Sequence, residues 1–214
     1  MKKSLLSGMG LLAVLGLGLQ ANAGQIAGTG LAFSEPELAG ASVVNFDTAT
    51  PGTYWTNTFG PVTISSQGNM PYRISTDYSG SYNNPGIALE NGTYDSGFTT
   101  NVLFQFANPV SAFAFSWGAS DMAAGLTVYS DAAGTSAIES MALPQVGASN
   151  AGDYFGLYAA SSTINSARIT FDASDWCFVD ELHLTENAVV PTPAAGVAGL
   201  ALLSALGLRR RRTA

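Results

Sequence analysis

The sequence predicts an all-β fold, an antiparallel β-sandwich, and three observations predict it. Between Ser42 and Thr185 the chain is a series of short β-branched and aromatic runs. Gly, Pro, Asn, Asp and Ser punctuate them at intervals of roughly 8–12 residues, the spacing of a sandwich or barrel. Two runs alternate strictly: Val102, Phe104 and Phe106 share one face of Val102–Phe106, and Phe113, Phe115 and Trp117 alternate with small residues in Ala112–Trp117. A period of two with one large apolar face marks a half-buried antiparallel strand. Finally, no stretch of this middle region carries a helical period, Asp121-Met122-Ala123-Ala124 being the one candidate for a helical turn.

The elements follow in order. Gly24 to Gly40 is small in composition, contains Pro36, and reads as an extended lead-in. Strands are then expected at Ser42–Phe46, Tyr54–Phe59, Val62–Ser66, Tyr72–Ser75, Ile87–Glu90, Val102–Phe106 and Ala112–Trp117. Asn108-Pro109 reads as a turn between the last two. Further strands are expected at Leu126–Ser130, Ala137–Ala142, Tyr154–Ala159, Ile164–Phe171 and Cys177–Thr185. Residues 41–187 form one domain, long enough to bury a core of its own.

The ends are of a different kind. Met1-Lys2-Lys3 is a short basic region, Leu5 to Leu19 is apolar, and Ala21-Asn22-Ala23 is a small-x-small triplet. That order is a secretory signal over residues 1–23, removed by signal peptidase after Ala23. At the other end, residues 188–214 hold Val190-Pro191-Thr192-Pro193, an apolar run from Ala194 to Leu208, and Arg209-Arg210-Arg211-Arg212. The prolines keep a helix from extending backward. The run is short for a full span, and the arginines hold the terminus on the cytoplasmic side.

With both ends removed the charge balance changes. Of eight Lys+Arg, only Arg73 and Arg168 lie between them, against all fifteen acids, a balance near −13. Such a domain lacks the basic surface that nucleic acid or anionic lipid requires. One cysteine, Cys177, excludes an internal disulfide, and its neighbours Trp176 and Phe178 suggest a buried, inert thiol.

The tripartite tail resembles the PEP-CTERM sorting signal of Gram-negative, exopolysaccharide-producing bacteria, with Thr192 where the commonest form has Glu. The resemblance implies an exosortase-type sorting protease that cleaves near the Pro-x-Pro. It also implies a membrane helix that is only transient, and delivery to the cell surface, the outer envelope or the medium. Phe104 to Trp117, Leu126 to Ser130 and Phe178 to Leu184 are similar to the core strands of domains that carry such tails, which implies a jelly-roll-like sandwich.

Chemistry is sparse. The one histidine, His183, alternates with Leu182 and Leu184 and points away from their face. No Gly-x-Ser-x-Gly elbow, His-Glu-x-x-His pair or cysteine cluster is present. Asp172, Asp175, Asp180 and Glu181 supply carboxylates that a glycoside hydrolase would need in a fixed pair. Oxygen-rich turns suit a hard cation, and Asp180 is expected to share a face with Phe178, Leu182 and Leu184, where a carboxylate needs a partner. Jelly-roll binding modules often join their first and last strands through a structural calcium, and that resemblance points to Asp47 and Asp180. Asn91-Gly92-Thr93 matches a glycosylation triplet.

The reading is a non-enzymatic surface or matrix protein associated with exopolysaccharide or biofilm. One alternative is a carbohydrate-binding module with a structural calcium, using exposed aromatics among Tyr54, Trp55, Tyr72, Tyr78, Tyr82 and Tyr94. The other is a secreted glycoside hydrolase.

Overall fold

The structure, a computed structural model, describes residues 23–29, 34–80, 86–92, 100–146, 153–159, 163–171 and 175–186. The signal region before Ala23, Asn187 at the end of the domain, the sorting tail at 188–214, Tyr82, Tyr94 and Asp172 lie outside them. Among the described residues no helix is long and apolar enough to cross a membrane.

The fold is a jelly-roll-like antiparallel sandwich, with thirteen strands among the described residues, and one strand organises it. That strand, β8 (Val102–Gly118), runs through both sheets. Its first half pairs with β5 (Val62–Ser66) on one side and β12 (Ile164–Phe171) on the other. β4 (Thr56–Phe59) continues this sheet beyond β5, and β9 (Ala124–Tyr129) and β10 (Ala137–Leu143) continue it beyond β12. Its second half pairs with β11 (Asp153–Ala159) and β13 (Phe178–Glu186). Beyond β11 lies β1 (Ala23–Thr29). Beyond β13 lie β7 (Ala88–Glu90), β6 (Tyr72–Ser75) and β3 (Gly52–Tyr54) at one end, with β2 (Ser42–Val44) at the other.

The turn expected at Asn108-Pro109 is therefore a bend inside one strand. Residues 107 to 109 are exposed. Pairing is interrupted beside them on both flanks, between Ile164 and Ser166 on β12 and between Thr185 and Glu186 on β13. A proline that has no N–H to donate is tolerated where the ladder is already broken. The chain switches sheets a second time at Trp55, between β3 on one edge and β4 on the other.

The expected alternation builds the core. Phe104 and Phe106 from one half of β8 meet Phe113 from the other, with ring centroids 5.4 and 5.1 Å apart. Phe115 and Trp117 extend the row, and Trp117 stacks on Phe171 at 5.9 Å. Offset and edge-on pairs at such distances add to what area burial alone supplies. Cys177 is buried, as its neighbours suggested.

The lead-in departs from expectation most. Its first part forms β1, paired with β11 without interruption from Ala23↔Ala159 to Thr29↔Asp153. Gly24 and Gly28 permit this, since a Cβ on either would overlap the ring of Tyr158 or Tyr154. A 3₁₀ turn at Pro36–Leu38 then lays Leu38 over Ala112 and Ala114, on the outer side of the same sheet. The candidate helical turn at Asp121 does not form: Ser120 Oγ and the Asp121 and Met122 amides instead bind the Asp175 carboxylate at 2.9–3.1 Å.

Candidate functional site

Two outer faces offer polar side chains, and register fixes what each displays. On the sheet β4-β5-β8-β12-β9-β10, core residues such as Ile64, Phe104, Ala167 and Val128 point inward, so their neighbours point out. One outward row runs Thr56, Ser65, Leu103, Arg168, Thr127 and Ser140. The next runs Thr58, Thr63, Gln105, Ser166 and Tyr129; of these Ser166 and Tyr129 are buried, and the turn after β9 accepts from Gln105 Nε2 at the Ala132 carbonyl and from Ser166 Oγ at the Asp131 carbonyl. Hydroxyls pair across strands within these rows, Thr58 with Thr63 and Thr127 with Ser140, each at 3.0 Å. Neither row holds a carboxylate, and its one charge, Arg168, lies over the Tyr129 ring at 5.1 Å and donates to the Gly134 carbonyl. Beyond Thr170 and Gly125 the face ends in a shallow open hollow of about 460 Å³ lined by small residues and Phe171.

Trp55 stands at the margin of this face, where the chain changes sheets, and is 56% exposed. It is the one large aromatic among the exposed hydrophobics of the described residues. The other candidates divide. Tyr72 is fully buried, its hydroxyl pushed up by burial above the usual phenol range. Tyr54 stacks on it at 6.0 Å and donates to the Thr50 carbonyl. Tyr78 packs between Trp176 and Phe178, at 4.7 and 5.2 Å, and donates to the Trp176 carbonyl. None of these three is a free platform.

The outer face of the other sheet carries a cluster of carboxyl groups. β13 contains a β-bulge at which Glu181 and Leu182 together oppose Phe115 alone, and Glu181 takes a left-handed φ of 48°. An extra residue reverses the alternation beyond it. Val179, Leu182 and Leu184 all reach the main core. Asp180 therefore sits on the side of Phe178, opposite the face of Leu182 and Leu184 that the sequence suggested. Its carboxyl is 2% exposed, accepts the Glu181 amide at 2.7 Å and also takes a hydrogen bond from the Phe46 backbone. Burial, and then the neighbouring Glu181 and Asp47 charges, push it up to about 7. Glu181 is raised by burial and by Asp47, and Ser116 Oγ donates to it at 3.3 Å.

Asp47 and Asp180 are thus brought together, with Glu181 beside them. Yet among the described residues no group of three or more His, Cys, Asp or Glu side chains is arranged to hold a metal. The Asp180 oxygens already serve backbone amides. Burial in this arrangement favours the protonated form of the Asp180 carboxyl.

Other buried polar groups are held within the fold. Glu90, fully buried, accepts from Ser75 Oγ, lies 3.5 Å from Arg73 Nη1, and is raised chiefly by burial. Asn91 is also fully buried: its amide donates to the Asp175 carbonyl and accepts from the Cys177 amide, so the glycosylation triplet presents no accessible acceptor. His183 points away from the Leu182 and Leu184 face, as expected, and its imidazole is lowered by burial.

No family model and no curated protein matches the chain. Among solved structures it is similar to a family 29 carbohydrate-binding module from Piromyces equi, at 8% identity and a TM-score of 0.40, over 73% of this chain and 97% of that one. It is also similar to TmCBM61 in complex with β-1,4-galactotriose, at 11% identity and a TM-score of 0.35, over 67% and 94% of the two chains. A third is the K3 cleaved adhesin domain of Lys-gingipain from Porphyromonas gingivalis, at 13% identity and a TM-score of 0.37, over 69% and 100%.

Proposed function

We propose that the chain is an exported, non-catalytic polysaccharide-binding protein of the cell surface or matrix. The ligand would be an uncharged glycan laid across the rows of Thr56, Ser65, Thr58, Thr63 and Gln105, with one sugar ring against Trp55. The observation that carries the reading is the absence of carboxylates from those rows in a domain whose balance is near −13. Hydroxyls and amides both donate and accept, which matches sugar hydroxyls. An exposed indole offers an apolar ring face with a polar edge.

Hydrolysis is the weaker reading. A glycosidase places two accessible carboxyls about 5–5.5 Å or about 6.5–9.5 Å apart. Asp175 and Asp180 are buried and committed to hydrogen bonds, which leaves only Glu181 of the described candidates partly exposed.

Affinity electrophoresis of the exported protein in gels of neutral and acidic polysaccharides tests the binding. Retardation by a neutral glycan, and about tenfold weaker retardation of Trp55→Ala, the factor that about 1.4 kcal/mol represents, are expected. Equal retardation of parent and variant would remove Trp55 from the site, and no retardation by any glycan would end the reading.

We propose further that the tail directs this export, with an exosortase-type protease cutting near Val190-Pro191-Thr192-Pro193. Mass spectrometry of the mature product should show neither Met1–Ala23 nor Arg209–Arg212. Retention of the arginines on the final product would show that the tail is an uncleaved anchor.

A further inference from the structure

The strands at the rims of the two sheets differ in how they are protected against pairing with another chain. An edge strand exposes a row of unpaired N–H and C=O groups, and proteins defend such edges with shortness, charge, proline or bulges. β2 and β3 have three residues each and β4 has four. β10 carries Glu139 and a bulge between Ala137 and Glu139. β1 is the least defended: the six residues Gly24–Thr29 that follow the expected cleavage after Ala23 hold no charged side chain and no proline, their one charge is the new α-amino group at the end of the strand, and the register with β11 is unbroken. Among the described strands it pairs on one side only.

Its sequence also selects an occupant. Gly24-Gln25-Ile26-Ala27-Gly28, which remains after cleavage at Ala23, is nearly symmetric about Ile26, with a glycine two residues to either side. We propose that β1 is a dimerisation strand, pairing antiparallel with β1 of a second copy about a two-fold axis through Ile26. In that register Gly24 of one copy faces Gly28 of the other, and Gln25 faces Ala27. The Tyr158 and Tyr154 rings lie over those glycines, and no Cβ stands between them and the seam. A two-fold seam is closed and self-complementary, so assembly stops at the dimer and does not grow into a fibre.

Charge favours a second copy meeting here. Two domains near −13 repel over most of their surface, and β1 is a long edge without an acid, although Asp153 stands opposite its last residue. If the glycan-binding reading holds, a dimer is bivalent and gains avidity on a polymer without any new contact.

The experiment is independent of the ligand. Sedimentation equilibrium of the exported protein over a range of concentrations should show a reversible monomer–dimer equilibrium. Ala27→Lys places a charge on an exposed position of the edge and should leave a monomer with an unchanged circular dichroism spectrum and the Tm of the dilute, dissociated parent. Val43→Lys, on exposed β2, should dimerise as the parent does. Register is read by oxidative cross-linking: Gln25→Cys mixed with Ala27→Cys should give a linked dimer, and neither variant alone should. The buried Cys177 does not compete. A monomer at every concentration, a dimer untouched by Ala27→Lys, or equal cross-linking of each variant alone would overturn the proposal. Glycan binding by a monomer would leave the functional reading intact.

Discussion

Trp117→Ala is expected to destabilise the domain by about 3–5 kcal/mol, the range for removing a large buried aromatic. The indole is fully buried, stacks on Phe171 at 5.9 Å and meets the edge of Phe115 at 6.3 Å. Its Nε1–H donates to the Pro144 carbonyl at 3.1 Å, a hydrogen bond that truncation also removes. Against a typical domain stability of about 5–15 kcal/mol, this is a large share. Urea denaturation checks it: the midpoint should fall steeply, while Trp117→Phe, which keeps most of the volume, should lose less than half as much. Trp55→Ala should stay within about 0.5 kcal/mol of the parent, as exposed substitutions do. An equal loss at both tryptophans would mean that Trp117 is not the keystone of the row.

That core was legible because one physical rule, period-two alternation, governs it. Phe113, Phe115 and Trp117 fall on one face in sequence and do so in the fold. Val62–Ser66, Tyr72–Ser75 and Ile164–Phe171 occur with the bounds expected. What alternation cannot reveal is how one strand is shared. Asn108-Pro109 has the chemistry of a turn, and only the interrupted pairing on both flanks makes it a bend. In sequence β1 has the look of a lead-in because Gly24 and Gly28 blur its period. Their purpose, room for Tyr158 and Tyr154, depends on residues about 130 positions away.

The site was less legible, for a related reason. Tyr72 and Trp55 are near neighbours of similar chemistry, yet one is fully buried and the other is 56% exposed. The difference comes from the sheet switch at Trp55, a tertiary feature. The hydroxyl rows are sums over five or six strands, so no single segment signals them. Asp47 and Asp180 do meet, but the bulge at Glu181 moves Asp180 to the face opposite Leu182, which strict counting from the sequence could not anticipate.

That displaced carboxyl gives the second large effect. The Asp180 group titrates at about 7 in the folded chain, against 3.8 as its ordinary value. Below the ordinary value the group is protonated in both states and has no influence on stability. Between about pH 4 and pH 7 the unfolded chain releases the proton and the folded chain keeps it, so stability falls as pH rises. Above pH 7 the loss is complete and amounts to a few kcal/mol, since each pKa unit corresponds to about 1.4 kcal/mol. Glu181 and Glu90 are also raised and act in the same direction. Asp180→Asn keeps an oxygen for the Glu181 and Phe46 amides but has no proton to lose. Its Tm should match the parent near pH 4 and exceed it at pH 8, with a shallower slope between. Adding calcium at pH 8 separates the two fates of the cluster. A proton site leaves the parent's Tm unmoved, whereas a calcium site raises it only while Asp180 is present. A Tm for Asp180→Asn that falls below the parent at pH 8 would show the ionised carboxylate to be held by a favourable partner, and the account of a carboxyl kept neutral by burial would fail.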